Sequence, residues 1–530
     1  MYMSNKEAHK QLIQLLDIKI KLSSGYSLPK IGIMPILSLE PNNWQKAASI
    51  AAKLNYRFVS MWAQDLNNIF ELNIVLELHN SYLLLRALID NNAPTIASFT
   101  PYFLAANLLE RHTHDMFGIN FSNHPDNRRW TRHLAWGADQ FPLRKNFPVE
   151  SLMTTPTPPD SNYPFTQIIG SGVCEVPVGP VHAGIIEPGH FRFQITGEDI
   201  LKLEIRLGYT HKGIEKIAEG REVNSLIKLA GRVSGDSTAA HAWAACAALE
   251  NAINLEIPNR ALYIRAIICE RERIANHLGD FASVCNDVAY TFAYYQLMRL
   301  KELWLRINAQ IFGHRFMMDC ITLGGVTTDL NSENCQALHK QISDFKLELD
   351  ELIVIFEAHF GLHNRIKTTG ILTAEQAASL GVLGYVGRAS GHKFDLRHDV
   401  AYPPYDKFKI HVPVFNTGDV LARLRVRFQE ILVALDLIDQ LLNTLPSGAI
   451  HTPWVAPNKV VEGIGLIEGW RGEIITFVRL GDDNLVERYF PRDPSWFSWQ
   501  ALEQLIQNNI VPEFPVCNKS INGSYSGVDL

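Results

Sequence analysis

Residues 231–241 read G-R-V-S-G-D-S-T-A-A-H, which sets the hydroxyls of Ser234 and Ser237 on either side of the Asp236 carboxylate and places the His241 imidazole one helical turn further on. A carboxylate and an imidazole can hydrogen-bond a polar headgroup or carry protons. Neutral hydroxyls are poor ligands for a soft metal. The last nine residues, N-G-S-Y-S-G-V-D-L at 522–530, offer the hydroxyl of Ser524 and, at Gly527, no side chain at all. The seven cysteines are Cys174, Cys246, Cys269, Cys285, Cys320, Cys335 and Cys517. No two are two or three residues apart, so the sequence has no C-x-x-C for zinc, nickel or an iron–sulfur cluster, and buried free thiols are expected. The expected metal ligands are none.

Three other stretches carry groups able to do chemistry. Glu215, in Y-T-H-K-G-I-E-K at 209–216, is a proton carrier if a cavity with few waters raises its pKa, or a solvated carboxylate favoured by a helix start. His182 and His190 lie in G-P-V-H-A-G-I-I-E-P-G-H-F-R-F at 179–193, where each can also close a tight turn beside proline and glycine. Arg388, Asp395 and Arg397, in R-A-S-G-H-K-F-D-L-R, can meet a neighbouring subunit or an acidic carrier, or pair with one another between domains. On the helix expected at 263–278, Ile264, Ile267, Ile268, Ile274 and Leu278 make one apolar stripe. Glu270, Arg273 and His277 share another side, where they relay protons or, as the preferred reading, pin helices together.

The elements that position these groups divide the chain into two. Residues 70–78 and 82–89 read as strands, 44–54 as a helix, and 101–119 as a helix stopped by Gly118, which makes a small α+β domain at 1–150. His112 and His114 are two apart and so face different ways, which suits a surface or a contact with another subunit better than a metal pair. The proline-rich stretch 151–166 reads as a linker. Beyond it, residues 167–530 carry helices at 290–312, at 331–360 closed by Gly361, and from 418 to about 445. Two strands at 462–480 complete a large, mostly α domain with short β elements. The fold class is α+β.

At 530 residues more than one core is needed. A net charge of −6 and a pI near 6.3 exclude nucleic acid as the main partner. There is no run of 18 apolar residues and no signal-peptide core at the start, so cytoplasmic residence is expected.

E-R-H-T-H-D-M-F-G-I at 110–119, H-P-D-N-R-R at 124–129 and P-L-R-K at 142–145 resemble the 30-kDa-type subunit of respiratory complex I. The remainder resembles the large subunit of membrane-bound nickel–iron hydrogenases and the related 49-kDa subunit of complex I. In hydrogenases, R-V-C-G-x-C and a terminal D-P-C-x-x-C supply four metal-binding thiolates. Here Ser234, Ser237, Ser524 and Gly527 stand in their places. The quinone-contacting tyrosine of complex I falls on Gly235. H-K-G-I-E resembles H-R-G-x-E, whose glutamate lies on the hydrogenase proton path, and the 179–193 loop resembles one bordering the active cavity.

This resemblance implies a fused 30-kDa-like and 49-kDa-like subunit with NADH:quinone-oxidoreductase-like or hydrogenase-like activity only within a complex. It implies a small iron–sulfur partner subunit, membrane-arm antiporter-like subunits and a place on the cytoplasmic face of the membrane. Electrons would pass from the partner's iron–sulfur cluster to a quinone or other acceptor, without a nickel–iron centre. On this reading Glu215, Asp236 and His241 are catalytic, and His182, His190, Ser234, Ser237, Arg388, Asp395 and Ser524 line the acceptor site. The alternatives are an active hydrogen-evolving subunit, as in formate hydrogenlyase, and a silent scaffold joining peripheral and membrane arms.

Overall fold

The computed structural model describes residues 9–16, 30–31, 34–133, 136–137, 139–149, 163–184 and 186–530. Most of the expected linker therefore lies outside the described residues; its last four, 163–166, are in neither helix nor strand. The chain is α+β, as expected.

The N-terminal sheet comprises β1 (Lys30–Ile31), β2 (Met34–Leu39), β3 (Arg57–Asp65), β4 (Ile69–Leu78) and β5 (Ser81–Asp90), in the order β1-β2-β5-β4-β3. Only the β2–β5 pair is parallel. Helix α1 (Pro41–Lys53) buries Trp44, Ala47, Ala48 and Ala51, the periodicity read at 44–54. Helix α2 (Asn107–Phe117) stops at Gly118, whose φ of +74° suits a residue without a Cβ. It starts later than expected from Pro101. The buried Glu110 carboxylate accepts from Ser98 Oγ, Phe99 N and Thr100 Oγ1, which holds 98–100 in a turn outside the helix. Strands β6 (Thr95–Ala97) and β7 (Asn120–Ser122) pair in parallel beside it.

The rest is a helical body edged by small sheets. β8 (Val173–Val178), β9 (His190–Thr196) and β10 (Asp199–Arg206) form an antiparallel meander. Helices α3 (Thr238–Ile253), α4 (Asn259–Asp287), α5 (Thr291–Phe312), α6 (Ser332–Glu357) and α7 (Val420–Asn443) pack together, with a small ribbon, β11 (Ile321–Thr322) and β12 (Gly325–Val326), between α5 and α6. Helix α6 ends at Glu357, short of Gly361. The His359 side chain accepts from Leu362 N and starts a separate turn, Phe360–Ile366, that contains the glycine. β13 (Val461–Gly469), β14 (Gly472–Leu480) and β15 (Val486–Arg492) then form a second sheet, followed by α8 (Ser495–Leu505) and α9 (Phe514–Ile521).

Two contacts between elements position the site. The N-terminal and C-terminal sheets share one core: Trp62 stacks on Phe477 with ring centroids 4.8 Å apart, and Phe58 meets Phe497 edge-on. Strand β13 lies directly on α3, because glycines at 463 and 465 let the backbones touch. A Cβ on Gly465 would stand 2.1 Å from the carbonyl oxygen of Ala244, and one on Gly463 1.8 Å from that of Ala248. Gly465→Ala must therefore push β13 off α3 and is expected to cost about 1–3 kcal/mol, read as a lowered Tm. An unchanged Tm would show that the two elements are not in backbone contact.

Candidate functional site

The first turn of α3, the β13–β14 hairpin and the last nine residues converge. Ser234 Oγ donates to Asp236 Oδ1 at 2.7 Å and lies 2.8 Å from Ser524 Oγ. Ser524 is held on three further sides. Its N–H donates to Ser495 Oγ, its carbonyl accepts from Trp499 Nε1, and its hydroxyl accepts from Gly527 N at 2.9 Å. Arg471, on the hairpin turn, grips Asp236 through both guanidinium ends, Nη1 to Oδ1 at 2.7 Å and Nη2 to Oδ2 at 2.6 Å. The same guanidinium donates to Ser237 Oγ at 3.2 Å and, through Nε, to the carbonyl of Asn522 at 2.7 Å. One side chain thus ties the 231–241 segment to the C-terminal segment. Trp470 stacks beneath it and donates Nε1–H to the Asp236 carbonyl.

Burial works against ionisation of Asp236, but Arg471 and the Ser234 hydroxyl override it and hold the carboxyl below its usual range. The Asp236 side chain is 37% exposed, whereas Ser234, Ser237 and Ser524 are buried. The ion pair therefore opens outward and the hydroxyl contact lies behind it. His241 is fully buried, and its Nε2–H donates to Asp493 Oδ2 at 2.9 Å. Asp493 also accepts from Ser495 N and, against its burial, is held ionised. His241 is thus a core histidine fastening α3 to the end of β15, without access to a ligand.

Glu215 differs from the expected proton carrier. It lies in the short helix Ile214–Ala218 and is 3% exposed. Burial alone would raise its pKa, but Arg488 Nη2 at 2.5 Å and His112 Nε2 at 2.7 Å bring it down to about 2. It is a fixed negative charge. His112, expected at a surface, is buried in this pair; His114, facing the other way, is partly exposed.

The remaining candidates are also corrected. His190 donates from Nδ1 to the carbonyl of Gly179 at 2.8 Å and accepts from Arg192 at Nε2, so it closes its own loop. His182 accepts from Gly184 N in a local turn. The loop reaches the site through Glu187 instead, whose Oε2 accepts from Ser526 N at 3.2 Å. Arg388, Asp395 and Arg397 are buried and face neither a neighbour nor an acceptor. Arg388 pairs with Glu430 and Glu468, and Arg397 with Asp395 and Glu270. Arg273 and His277 join the same network through Glu430, so the Glu270–Arg273–His277 line pins helices together, as preferred.

Sequence reading missed Arg471, Asp493, Glu187 and the partnership of His112. The signals at W-R-G-E, 470–473, and R-D-P, 492–494, are plain enough, but all four partners lie more than 100 residues away: Asp236 for Arg471, His241 for Asp493, Ser526 for Glu187 and Glu215 for His112.

Family models match three stretches: residues 287–461 the respiratory-chain NADH dehydrogenase 49 Kd subunit, residues 37–152 the 30 Kd subunit, and residues 212–287 nickel-dependent hydrogenase. Formate hydrogenlyase subunit 5 of Escherichia coli (strain K12) is 30% identical over 450 residues, 84% of this chain and 79% of that protein. The C/D-type fused subunit of NADH-quinone oxidoreductase from Phocaeicola vulgatus is 31% identical over 437 residues, 79% of this chain and 84% of that protein. A chain in the structure of the membrane-bound sulfane sulfur reductase, an archaeal respiratory membrane complex, superposes with a TM-score of 0.64 at 23% identity. The match covers 69% of this chain and all of that one and is a likeness of fold.

A nickel–iron centre does not fit the residues present. The hydroxyls of Ser234 and Ser524 touch, which leaves no gap between them for an ion. A Cβ on Gly527 would stand 2.9 Å from Ser524 Oγ and 3.0 Å from Asp493 Cγ, so the position of a fourth ligand is taken by protein atoms. Cys517 packs against Gly370, and burial pushes its thiol up to about 12. Because the two hydroxyls bond each other, Ser234→Ala and Ser524→Ala should each cost about 1 kcal/mol, and the double variant should cost less than their sum. Strict additivity in denaturant unfolding would mean that the hydroxyls do not meet.

Proposed function

Because the chain belongs to the family that unites the 30-kDa-like and 49-kDa-like subunits of respiratory NADH dehydrogenases with the large subunits of membrane-bound hydrogenases, we propose that it is the peripheral oxidoreductase subunit of a membrane-bound complex. In this reading electrons come from an iron–sulfur cluster in a small partner subunit and pass to a quinone or another polar acceptor. Membrane-arm, antiporter-like partners turn the change into ion movement. Among the described residues no helix is long and apolar enough to cross a membrane, so partners would supply the attachment, on the cytoplasmic face.

The observation that carries the proposal is the Asp236–Arg471 pair, half open in front of the Ser234–Ser524 contact. An ionised carboxylate at an opening accepts a hydrogen bond from a reduced headgroup, while the buried guanidinium behind it keeps it ionised. Arg471 also holds the carboxylate in place, and the His241–Asp493 pair keeps α3 in register behind it. The donor set favours this acceptor-handling role over hydrogen evolution, which in this family rests on thiolate-bound nickel.

The purified complex is expected to hold nickel far below one per chain and to evolve no hydrogen from a reduced viologen. Asp236→Asn should lower its acceptor-linked turnover by about tenfold, or ~1.4 kcal/mol of transition-state stabilisation, with assembly intact. Stoichiometric nickel with hydrogen evolution would establish the hydrogenase reading, and unchanged turnover in the assembled variant the scaffold reading.

A further inference from the structure

Two contacts between the N-terminal unit and the site-bearing loops matter for the site. His112, on α2, takes Thr131 Oγ1 at its Nδ1 and presents Nε2 to Glu215 at 2.7 Å. Its ring lies edge-on against Trp496, with centroids 5.3 Å apart. His133 Nε2 donates to the carbonyl of Leu207 at 2.8 Å.

Between and beyond these contacts, residues 208–213 grip the end of the chain. Gly208 N and Thr210 N donate to the Asp529 carboxylate, His211 Nδ1 to the Asp529 carbonyl, and Lys212 N and Gly213 N to the Leu530 carbonyl. One turn before Asp529 lies Ser526, hydrogen-bonded to Glu187, and two residues before that lies Ser524 itself. A path of hydrogen bonds and short lengths of chain thus runs from α2 through Glu215 and the loop before it to the hydroxyl contact.

We propose that His112 is a positioning residue supplied by the N-terminal unit, which clamps the Glu215 carboxylate so that the 208–213 loop keeps the Ser524-bearing segment seated. The N-terminal unit is then a wall of the site and not an appendage to it. A carboxylate this deeply buried needs a donor on each oxygen. Arg488 serves Oε2, and His112 serves Oε1. The other groups facing Glu215 are Tyr489 beside Arg488 on β15 and His211 on the loop, with Lys216 and Glu219 on or beside its own short helix. His211 and Lys216 donate elsewhere, and the buried Tyr489 hydroxyl makes no hydrogen bond to Glu215, so among the described residues none of them serves Oε1 in place of His112. The inference rests on the proposed function only in treating the seated segment as part of a working site.

The sign of the pH dependence follows from the depressed pKa. A carboxylate held low stabilises the fold above its ordinary range, and that stabilisation is lost as pH falls toward its folded value. Removing one donor raises the folded value, so part of that stabilisation is already missing at neutral pH, and the shortfall closes as the carboxylate is protonated.

The test is amide hydrogen exchange, corrected for the intrinsic rate, at residues 208–216 and 522–530 of the full chain from pH 8 to pH 3, in wild type, His112→Ala and His112→Gln. The inference expects both segments of His112→Ala to open about tenfold more often than in wild type at pH 8, with the difference closing as pH falls below about 4. It expects substantial recovery in His112→Gln, whose amide can still donate. Loosening of His112→Ala by the same factor at every pH would reduce His112 to a packing residue and overturn the proposal, as would no change at all. If His112→Ala does not fold, His112→Gln, which keeps a donor for Oε1 and leaves the Arg488 pair intact, should fold with both segments protected; failure of that recovery also overturns it. None of these readouts depends on nickel content or turnover, so the proposed function stands or falls separately.

Discussion

An ionised carboxylate taken out of water must find a cation or several donors, or the fold does not hold. This molecule is organised around meeting that demand many times. Asp236 is met by Arg471, Asp493 by His241, Glu215 by Arg488 and His112, and Glu430 by Arg388 and His277. Each pair joins segments remote in sequence, so the charges fix tertiary geometry that apolar packing alone would leave free to slide. Arg471 matters most, because its guanidinium reaches Asp236, Ser237 and Asn522 together and closes the gap between the start of α3 and the end of the chain. In the hydrogenase pattern thiolates hold a metal between these two segments. Here a protein cation and a pair of hydroxyls hold them.

The same demand joins the N-terminal unit to the rest. Its sheet meets β13–β15 across a stacked aromatic core, and donors on the N-terminal side serve buried acids on the C-terminal side. Arg57 and Tyr82 serve Glu473, Arg86 serves Glu462, and His112 serves Glu215. An interface with this polarity resists sliding, since a shift of one residue would strand several buried charges at once. The two regions behave as one scaffold around the site.

Much of the fold was legible because it depends on local rules. Strands β4 and β5 and the β13–β14 hairpin follow from apolar runs and turns, and α2 ends where Gly118 permits a left-handed residue. Gly361 misled, because the His359 side chain caps a new turn just before it. The site was legible in part. Ser234 and Ser524 were named from the sequence, and the structure sets them side by side. The charge state of Glu215 was not legible, since it depends on Arg488, 273 positions away. Spacing told correctly that His112 and His114 face apart, but it could not tell which of them faces inward. Arg388 and Asp395 read either as contacts to a partner or acceptor or as members of a salt bridge, and spacing could not choose; here Arg388 finds its counter-charges on α7 and β13 and Asp395 pairs with Arg397.

Two segments of the chain, 231–241 and 522–530, meet through the Ser234 and Ser524 hydroxyls and the Arg471 guanidinium, and everything proposed for the site depends on that meeting. The most direct measurement is a cryo-EM map of the assembled complex at a resolution that separates side chains. The expected map has Ser234 and Ser524 in hydroxyl contact, with the Arg471 guanidinium across Asp236 and no density of a heavier atom between them. Density of a metal seated between those serines, or a wide separation of the two segments, would contradict it.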